Sequence, residues 1–247
     1  MTSNTKIDIS WNSEDVHSGI DYYNIKIATN PIGIQPVTEN IITSKNWPIK
    51  FNATTSNYLF TLTQPKLLQD GLKYYAMVEA RNSAGLSVTS NSNGVTVDAS
   101  PPVITSIDDF DYQGNLRKYN VTLNAQDSHT GIEEFKFKIY QFDNDSLIKT
   151  KFISVQPTVD QMKLALTVDN NNVAYLENGK KYYSVVIARN KAGLWSDPFK
   201  TNGVTFDNTT PSINWTDDGR YSTSNDELFV SWNAEDKQTG VNRYDFQ

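Results

Sequence analysis

The sequence predicts an all-β protein in which antiparallel β-sandwiches follow one another end to end. Three blocks of residues recur in the same order, and the apolar residues inside each block alternate with period two. Such alternation puts every second side chain on the same face of a strand, which is typical of strands with one buried face. Strands of this kind, separated by turn residues in units of about 100 residues, indicate β-sandwiches.

The recurrence is the first of these observations. Each block returns after an interval of about 110 residues, and one of them occurs three times. Three independent blocks that agree on one interval indicate repeated structural units. The matched segments are residues 9–20, 121–132 and 230–241, then residues 71–86 and 179–194, and finally residues 94–104 and 203–213.

The first block predicts a strand followed by a tight turn. Its apolar residues share one face, and the Asp-x-x-Ser/Thr-Gly sequence that follows has the residue types of a turn. A second alternating strand begins just after the glycine, and no stretch of the chain shows the 3.6-residue period of an amphipathic helix. The residues on the shared face are Ile7, Ile9 and Trp11, then Tyr119, Val121 and Leu123, then Leu228, Val230 and Trp232.

The second block predicts a longer strand, and its alternation assigns each side chain to a face. One set of residues should point into the sandwich and the other set should point outward. The inward set is Tyr74, Ala76, Val78 and Ala80, and the outward set is Tyr75, Met77, Glu79 and Arg81.

The same block, together with the leucine before it, follows the pattern Leu-x-x-Gly-x-x-Tyr and then Val-x-Ala-x-Asn-x-x-Gly. The matching residues are Leu68, Gly71, Tyr74, Val78, Ala80, Asn82 and Gly85, and Leu176, Gly179, Tyr182, Val186, Ala188, Asn190 and Gly193. With this pattern the chain resembles the fibronectin type III modules. The resemblance implies an immunoglobulin-like sandwich in which Tyr74 and Tyr182 are corner tyrosines whose hydroxyls bond back to the backbone. It also implies core positions for Trp11 and Trp232, and Leu123 departs from the pattern because it stands where the family has tryptophan.

Prolines mark the predicted domain boundaries, because an interior strand cannot accept proline without losing a hydrogen bond. We predict a sandwich over residues 1–98 that lacks its first strand, a complete sandwich over 99–207, and the beginning of a third over 208–247. The strands missing from the third would come from residues beyond this segment or from another chain. The linkers after Asp98 and Asp207 are short, so we expect limited freedom between consecutive sandwiches.

Composition excludes several classes of protein. The net charge of −6 does not favour nucleic acid as a partner, and no apolar run is long enough to span a membrane. The chain has no cysteine, which excludes disulfides, zinc–thiolate sites and cysteine nucleophiles.

The residues that could carry chemistry recur at equivalent places, which is typical of scaffold residues. We therefore predict no catalytic residue, no cofactor and no enzyme activity. The turn and linker aspartates are most simply turn caps, with calcium binding as the alternative. The histidines at positions 17 and 129 are read as exposed turn residues. The calcium candidates are Asp15, Asp98, Asp127, Asp207 and Asp236.

Asn-x-Ser/Thr sites are about as frequent as composition alone would give. Asn120 is the best single candidate for a glycan because alternation points it away from the core, and Asn52 and Asn208 are further candidates. Asn144 and Asn214 also occupy such sites. Trp47 and Trp195 lie where the copies differ, so they either pack loops or make contacts.

We expect an elongated, stalk-like array that acts as a structural and adhesive spacer in an extracellular, cell-surface or filament protein. Its expected partners are the neighbouring copies, with other chains or glycans as further possibilities, and we expect no nucleic acid or membrane contact. Two alternatives stay open: accessory modules of a secreted enzyme, which could be associated with carbohydrate, and part of a receptor ectodomain.

Overall fold

The structure is a computed structural model that describes residues 6–30, 49–61, 68–154, 161–167, 169–170, 173–174 and 176–245. Every regular element in these ranges is a β-strand, and nearly all pairing is antiparallel, which confirms the predicted fold class. The strands are β1 (Lys6–Ser10), β2 (Ile20–Ala28), β3 (Ile49–Asn52), β4 (Asn57–Thr61), β5 (Lys73–Asn82), β6 (Ser87–Asn91), β7 (Val95–Thr96), β8 (Val103–Asp108), β9 (Tyr112–Gln113), β10 (Lys118–Gln126), β11 (Ile132–Gln141), β12 (Leu147–Ser154), β13 (Gln161–Thr167), β14 (Asp169–Asn170), β15 (Val173–Ala174), β16 (Lys181–Asn190), β17 (Phe199–Lys200), β18 (Val204–Phe206), β19 (Ser212–Asp217) and β20 (Ser231–Glu235).

The chain forms two compact units. The first contains Met1–Pro102 together with Asp127–Glu133 and Arg189–Trp195. The second contains Val103–Gln126, Glu134–Ala188 and Ser196–Gln247. Because these boundaries follow spatial contacts and not the repeat, the predicted division at residues 98 and 207 stays a prediction.

The first unit packs two sheets around one apolar core. One sheet pairs β1 with β4, and the other has the strand order β3-β2-β5-β6 with β7 on β5. Ile7 and Ile9 of β1 share the core with Ile25 and Ile27 of β2 and with Tyr74 of β5. Residues from both sheets thus meet in a single layer, as in a β-sandwich.

The second unit repeats this arrangement. One sheet has the order β13-β10-β8, and the other has the order β12-β11-β16-β18-β9 with β17 on β16. The ring of Tyr119 on β10 lies 6.0 Å from that of Phe206 on β18, so side chains of the two sheets meet in the core. Leu123, which stands in the tryptophan position, is only 1% exposed.

A two-stranded sheet of β19 and β20 lies further along the second unit. Trp232 on β20 is half-buried and contacts the ring of Tyr244 at 5.3 Å between centroids. Its counterpart in the first unit, Trp11, is also half-buried but packs against the core and lies 5.5 Å from the ring of Tyr23.

Both corner tyrosines are buried and hydrogen-bonded to nearby backbone. The hydroxyl of Tyr74 accepts a hydrogen bond from the backbone N–H of Gln69 at 2.9 Å. The hydroxyl of Tyr182 accepts one from the N–H of Glu177, also at 2.9 Å. These are the bonds that the resemblance implies, and they tie the start of β5 and β16 to the preceding loop.

The face assignment along β5 holds for the inward residues Tyr74, Ala76 and Ala80, which are buried, while Val78 is half-buried. Met77 differs from its prediction: it lies on the opposite face but is only 7% exposed. Alternation assigns a side chain to a face, whereas exposure depends on what else covers that face.

Candidate functional site

The turn aspartates Asp15, Asp127 and Asp236 cap the turns that follow β1, β10 and β20, respectively. Asp127 Oδ1 accepts hydrogen bonds from the backbone N–H groups of Thr130 at 2.8 Å and Gly131 at 2.8 Å. Asp15 accepts the equivalent bond from Ser18 at 2.7 Å, and Asp236 accepts it from Thr239 at 2.9 Å. One carboxylate oxygen thus satisfies several turn amides, which explains why aspartate recurs here.

The second oxygen of Asp127 belongs to a larger arrangement within the first unit. The side-chain amide of Asn190 donates to Asp127 Oδ2 at 3.0 Å and to Asp98 Oδ2 at 2.9 Å. The hydroxyl of Thr130 donates to the same Asp98 oxygen. We call Asp98, Asp127, Thr130 and Asn190 the carboxylate–amide cluster. Asp98 and Asn190 are fully buried, so each depends on the cluster for its hydrogen bonds.

Asn190 is the last residue of β16, and two backbone hydrogen bonds orient its side chain. Its side-chain oxygen accepts a hydrogen bond from the backbone N–H of Leu194 at 2.8 Å, and its amide also donates to the carbonyl of Ser100 at 3.1 Å. The Oδ1 atom of Asn190 therefore stabilises the turn after β16, while its Nδ2 atom donates to the two carboxylates.

The segment after Asp98, which the sequence predicts to be a linker, is hydrogen-bonded on both sides. The N–H of Ser100 donates to Asp98 Oδ1 at 3.1 Å, and the N–H of Ala99 donates to Asp70 Oδ1 at 2.8 Å. The hydroxyl of Ser100 also donates to Asp70. His129 Nε2 lies 3.5 Å from Asp70 Oδ2, so a turn histidine lies beside the linker.

Hydrogen bonding keeps two of these carboxylates acidic. Burial raises the pKa of Asp127, but the bonds from the Asn190 amide and from the N–H of Thr130 outweigh it, so the pKa lies below its ordinary value. The hydroxyl of Ser100 and the N–H of Ala99 lower the pKa of Asp70. Both groups are therefore ionised at neutral pH and act as acceptors only.

Parts of the cluster recur elsewhere in the chain. In the first copy, the amide of Asn82 donates to Asp15 Oδ2 at 3.1 Å. In the second unit, the hydroxyl of Thr239 donates to Asp207 Oδ2 at 2.7 Å, as Thr130 does to Asp98. The hydroxyl and N–H of Thr209 lower the pKa of Asp207.

The structure groups the five calcium candidates as two pairs and one single residue. Asp98 and Asp127 share Asn190 and Thr130, Asp207 and Asp236 share Thr239, and Asp15 stands apart with Asn82. Across residues that the structure describes, no group of three or more histidine, cysteine or acidic side chains is arranged to hold a metal ion. These carboxylates accept from N–H and O–H donors, which is the arrangement of turn capping, and calcium binding stays a prediction.

The predicted glycan sites differ in their surroundings. Asn120 is half-buried and its side-chain amide donates to Gln113 Oε1 at 3.0 Å, so one of its two amide hydrogens is already engaged. Asn52 and Asn208 are exposed. Trp195 is 38% exposed beneath the guanidinium of Arg189, and Trp47 lies outside the described residues.

The second unit contains a buried acid that no sequence pattern indicates. Asp109 is fully buried, and its Oδ2 accepts a hydrogen bond from the hydroxyl of Tyr119 at 2.7 Å. Its Oδ1 has no hydrogen-bond partner among the described residues. Burial raises the pKa of this carboxyl. Nothing in the local pattern separates Asp109 from the adjacent Asp108, which is exposed.

Comparisons with known proteins find a likeness to solved structures. No protein-family model matches the chain, and no curated protein matches it. A crystal structure of the FN1–FN3 domains of chicken CNTN1 is similar, with 17% identity and a TM-score of 0.40. The likeness covers 82% of this chain and 64% of that one, so the chain spans less than two thirds of that fragment. Within the described residues, we find no helix of the length and hydropathy that crossing a membrane requires.

Proposed function

We propose that this chain is a segment of tandem fibronectin type III-like sandwiches that serves as a structural and adhesive spacer in an extracellular, cell-surface or filament protein. The carboxylate–amide cluster is the observation that carries the proposal. It bonds the linker at Asp98 to the turn at Asp127 and to the end of β16 at Asn190. A spacer needs this kind of connection, because a flexible linker transmits neither distance nor force.

The bonds within the linker support the same role. Asp70 and Asp98 together accept from the N–H groups of Ala99 and Ser100, so the linker backbone has little freedom to rotate. A similar set recurs after the next copy, where Thr209 N–H donates to Asp207 at 2.9 Å and Asn208 N–H donates to Asn178 at 2.9 Å. Repetition of linker bonds is expected of a scaffold and is not expected of a catalytic site.

The partners of such a spacer are its neighbouring copies, with other chains or glycans at a surface or in a filament as adhesive contacts. The recurring turn caps and corner tyrosines serve architecture, and no step of chemistry is assigned to them. We place the protein outside the cell or at its surface, on the basis of the resemblance carried by β5 and β16.

A distance measurement between spin labels tests the proposal. The chain has no cysteine, so Thr89→Cys and Thr150→Cys, both at exposed strand positions, can be labelled without background. A stiff spacer gives one narrow distance distribution by double electron–electron resonance. Asn190→Ala should broaden it, and Asn202→Ala, at an exposed asparagine, should not. A broad distribution in the chain without the Asn190 change would overturn the proposal.

A further inference from the structure

The sequence contains three Asn-Gly dipeptides, and all of them lie in connections between strands. They are residues 93–94 before β7, residues 178–179 before β16 and residues 202–203 before β18. The glycine has a positive φ in each case, +79° at Gly94, +74° at Gly179 and +90° at Gly203. Glycine adopts this conformation without steric cost, so the backbone of each turn favours keeping it.

Asparagine followed by glycine loses its side-chain amide without an enzyme. The backbone nitrogen of the glycine passes its proton to water or hydroxide and attacks Cγ of the asparagine, since no side chain on the glycine hinders the approach. The Cγ–Nδ2 bond breaks, ammonia leaves, and a five-membered succinimide ring forms. Water then opens the ring at either carbonyl and leaves aspartate or isoaspartate. The overall change consumes water, releases ammonia and adds one negative charge to the chain.

The structure opposes this reaction at Asn178. The attack needs a free glycine N–H and an asparagine side chain that can turn towards it. The N–H of Gly179 donates to the carbonyl of Phe206 at 2.7 Å, and Asn178 Oδ1 accepts a hydrogen bond from the N–H of Asn208 at 2.9 Å. Both bonds would have to break before the ring could close.

Packing around the glycine opposes the reaction at Asn202. Gly203 is buried, and the position that a Cβ would occupy there lies 2.9 Å from the backbone oxygen of Tyr182. Gly94 is half-buried, and the atom nearest to the same position belongs to the side chain of Tyr75, at 2.6 Å. A side chain can turn away when the backbone moves, whereas a carbonyl inside a sheet cannot.

The turn at Asn93 has neither form of protection. Asn93 is exposed, and none of the residues that the structure describes is hydrogen-bonded to its side chain. The N–H of Gly94 donates to Ser92 Oγ at 3.3 Å, which is longer than the usual limit of about 3.2 Å. Ser92 Oγ also accepts the N–H of Ala76 at 2.9 Å, so this oxygen is shared. The nucleophile and the reacting side chain are therefore both available.

We propose that Asn93 is a site of spontaneous deamidation, which places a new carboxylate at the start of β7. β7 pairs with β5 through Val95 opposite Tyr74 and Thr96 opposite Lys73. Isoaspartate adds a methylene to the main chain, so it disturbs this short pairing beside a corner tyrosine. The modification depends on the turn alone and does not require the spacer role.

Mass spectrometry of the folded full chain tests the proposal. After incubation at mildly alkaline pH, trypsin places the three asparagines on separate peptides, residues 82–117, 164–180 and 201–220, and fragment spectra assign the modified position. We expect Asn93 to convert at least about tenfold faster than Asn178, whose two hydrogen bonds must break first. Asn93 should also convert faster than Asn202. Equal rates at Asn93 and Asn178 would overturn the proposal.

The same incubation in concentrated urea separates the effect of the fold from that of the dipeptide. Without packing or turn hydrogen bonds, Asn93, Asn178 and Asn202 should convert at similar rates, because each has glycine as its next residue. If Asn93 stays as far ahead in urea as in the folded chain, the turn geometry is not the cause and the assignment fails.

Two variants connect the modification to stability. Asn93→Gln should stop conversion at this position, because its ring would be six-membered and forms more slowly, whereas Asn178→Gln should leave conversion of Asn93 unchanged. After prolonged incubation the original chain should unfold at a lower urea concentration than before, and the Asn93→Gln variant should keep its midpoint. A midpoint that falls equally in both chains would contradict the effect on β7.

Discussion

Asn190 Nδ2 lies 2.9 Å from Asp98 Oδ2, a hydrogen bond between side chains that are 92 positions apart in the chain. Both residues are fully buried, and the hydroxyl of Thr130 is the other side-chain donor to the same Asp98 oxygen. Removing a donor from a buried acceptor costs at least as much as the hydrogen bond contributes, because the acceptor stays desolvated. The pair therefore makes the end of β16 and the linker dependent on each other.

Asn190→Ala should lower the free energy of unfolding by about 2 kcal/mol, since it removes the amide shared by the two carboxylates. Urea denaturation followed by tryptophan fluorescence measures this. Asn202→Ala, at an exposed position, is the matched control and should change stability by less than about 0.5 kcal/mol. Equal effects of the two variants would show that the cluster is not stabilising.

Asp127 should contribute to stability at neutral pH and lose that contribution in acid. Its folded pKa lies below the ordinary value of 3.8, so the stabilisation is present above that value and disappears as pH falls through the folded pKa. Asp127→Asn should be less stable than the original chain by about 1 kcal/mol at pH 7, because its amide would face the amide of Asn190. The difference in urea midpoint should shrink towards pH 2, and a difference that stays constant with pH would contradict this.

Asp109 should have the opposite pH dependence. Burial raises its folded pKa above 3.8, so the folded chain keeps the proton that the unfolded chain releases, and stability falls as pH rises from 3.8 through the folded pKa. The slope is at most about 1.4 kcal/mol per pH unit for one proton. The Asp109→Asn variant should not lose stability between pH 3.8 and the folded pKa of Asp109. Its free energy of unfolding should therefore rise relative to that of the original chain over this pH range. Thermal unfolding at several pH values tests this.

The corner hydroxyls of Tyr74 and Tyr182 should each stabilise the chain. Tyr74→Phe and Tyr182→Phe keep the buried ring but remove the acceptor of the Gln69 or Glu177 N–H, which should cost about 1 kcal/mol in each case. Tyr221→Phe, at a side chain that is 94% exposed, serves as the control. If the three variants unfold at the same urea concentration, the corner bonds add nothing.

Gly71 is restricted both by its backbone and by its neighbour. Its φ is +79°, and a Cβ there would lie 2.6 Å from His129 Cε1. Gly179 has a similar φ of +74°, but a Cβ there would lie 3.4 Å from Gln238 Cγ. Gly179→Ala should lower the free energy of unfolding by roughly 1–2 kcal/mol, because alanine disfavours this backbone conformation. Gly71→Ala should lower it by more, because the added Cβ also meets His129.

A double variant separates the two effects at Gly71. In a His129→Ala background, Gly71→Ala should cost about as much as Gly179→Ala does in the original chain, because only the backbone conformation remains unfavourable. If the His129 change does not reduce the cost, crowding by the histidine is not the cause.

Much of the first unit could be predicted from local pattern. Alternation assigned Ile7, Ile9 and Tyr74 to the core, and they are buried. The turn aspartates were predicted as caps because aspartate before a Ser/Thr-Gly turn can reach the backbone amides that follow it, and Asp15 and Asp127 make these bonds. Such features depend on residues only a few positions apart, so the sequence is sufficient to predict them.

The sequence predicts Asp98 and Asp127 as turn caps, with calcium binding as the alternative, and no pattern indicates that Asn190 bridges them. The alternation that assigns the core residues also points Asn120 outward, yet its amide donates to Gln113 Oε1. Met77 and Asp109 are buried, although no local pattern indicates their burial. A period of two determines which way a side chain points, and that much is encoded locally. Whether that face is covered, and which donor meets a given carboxylate, depends on contacts between distant segments, and only the folded chain decides them.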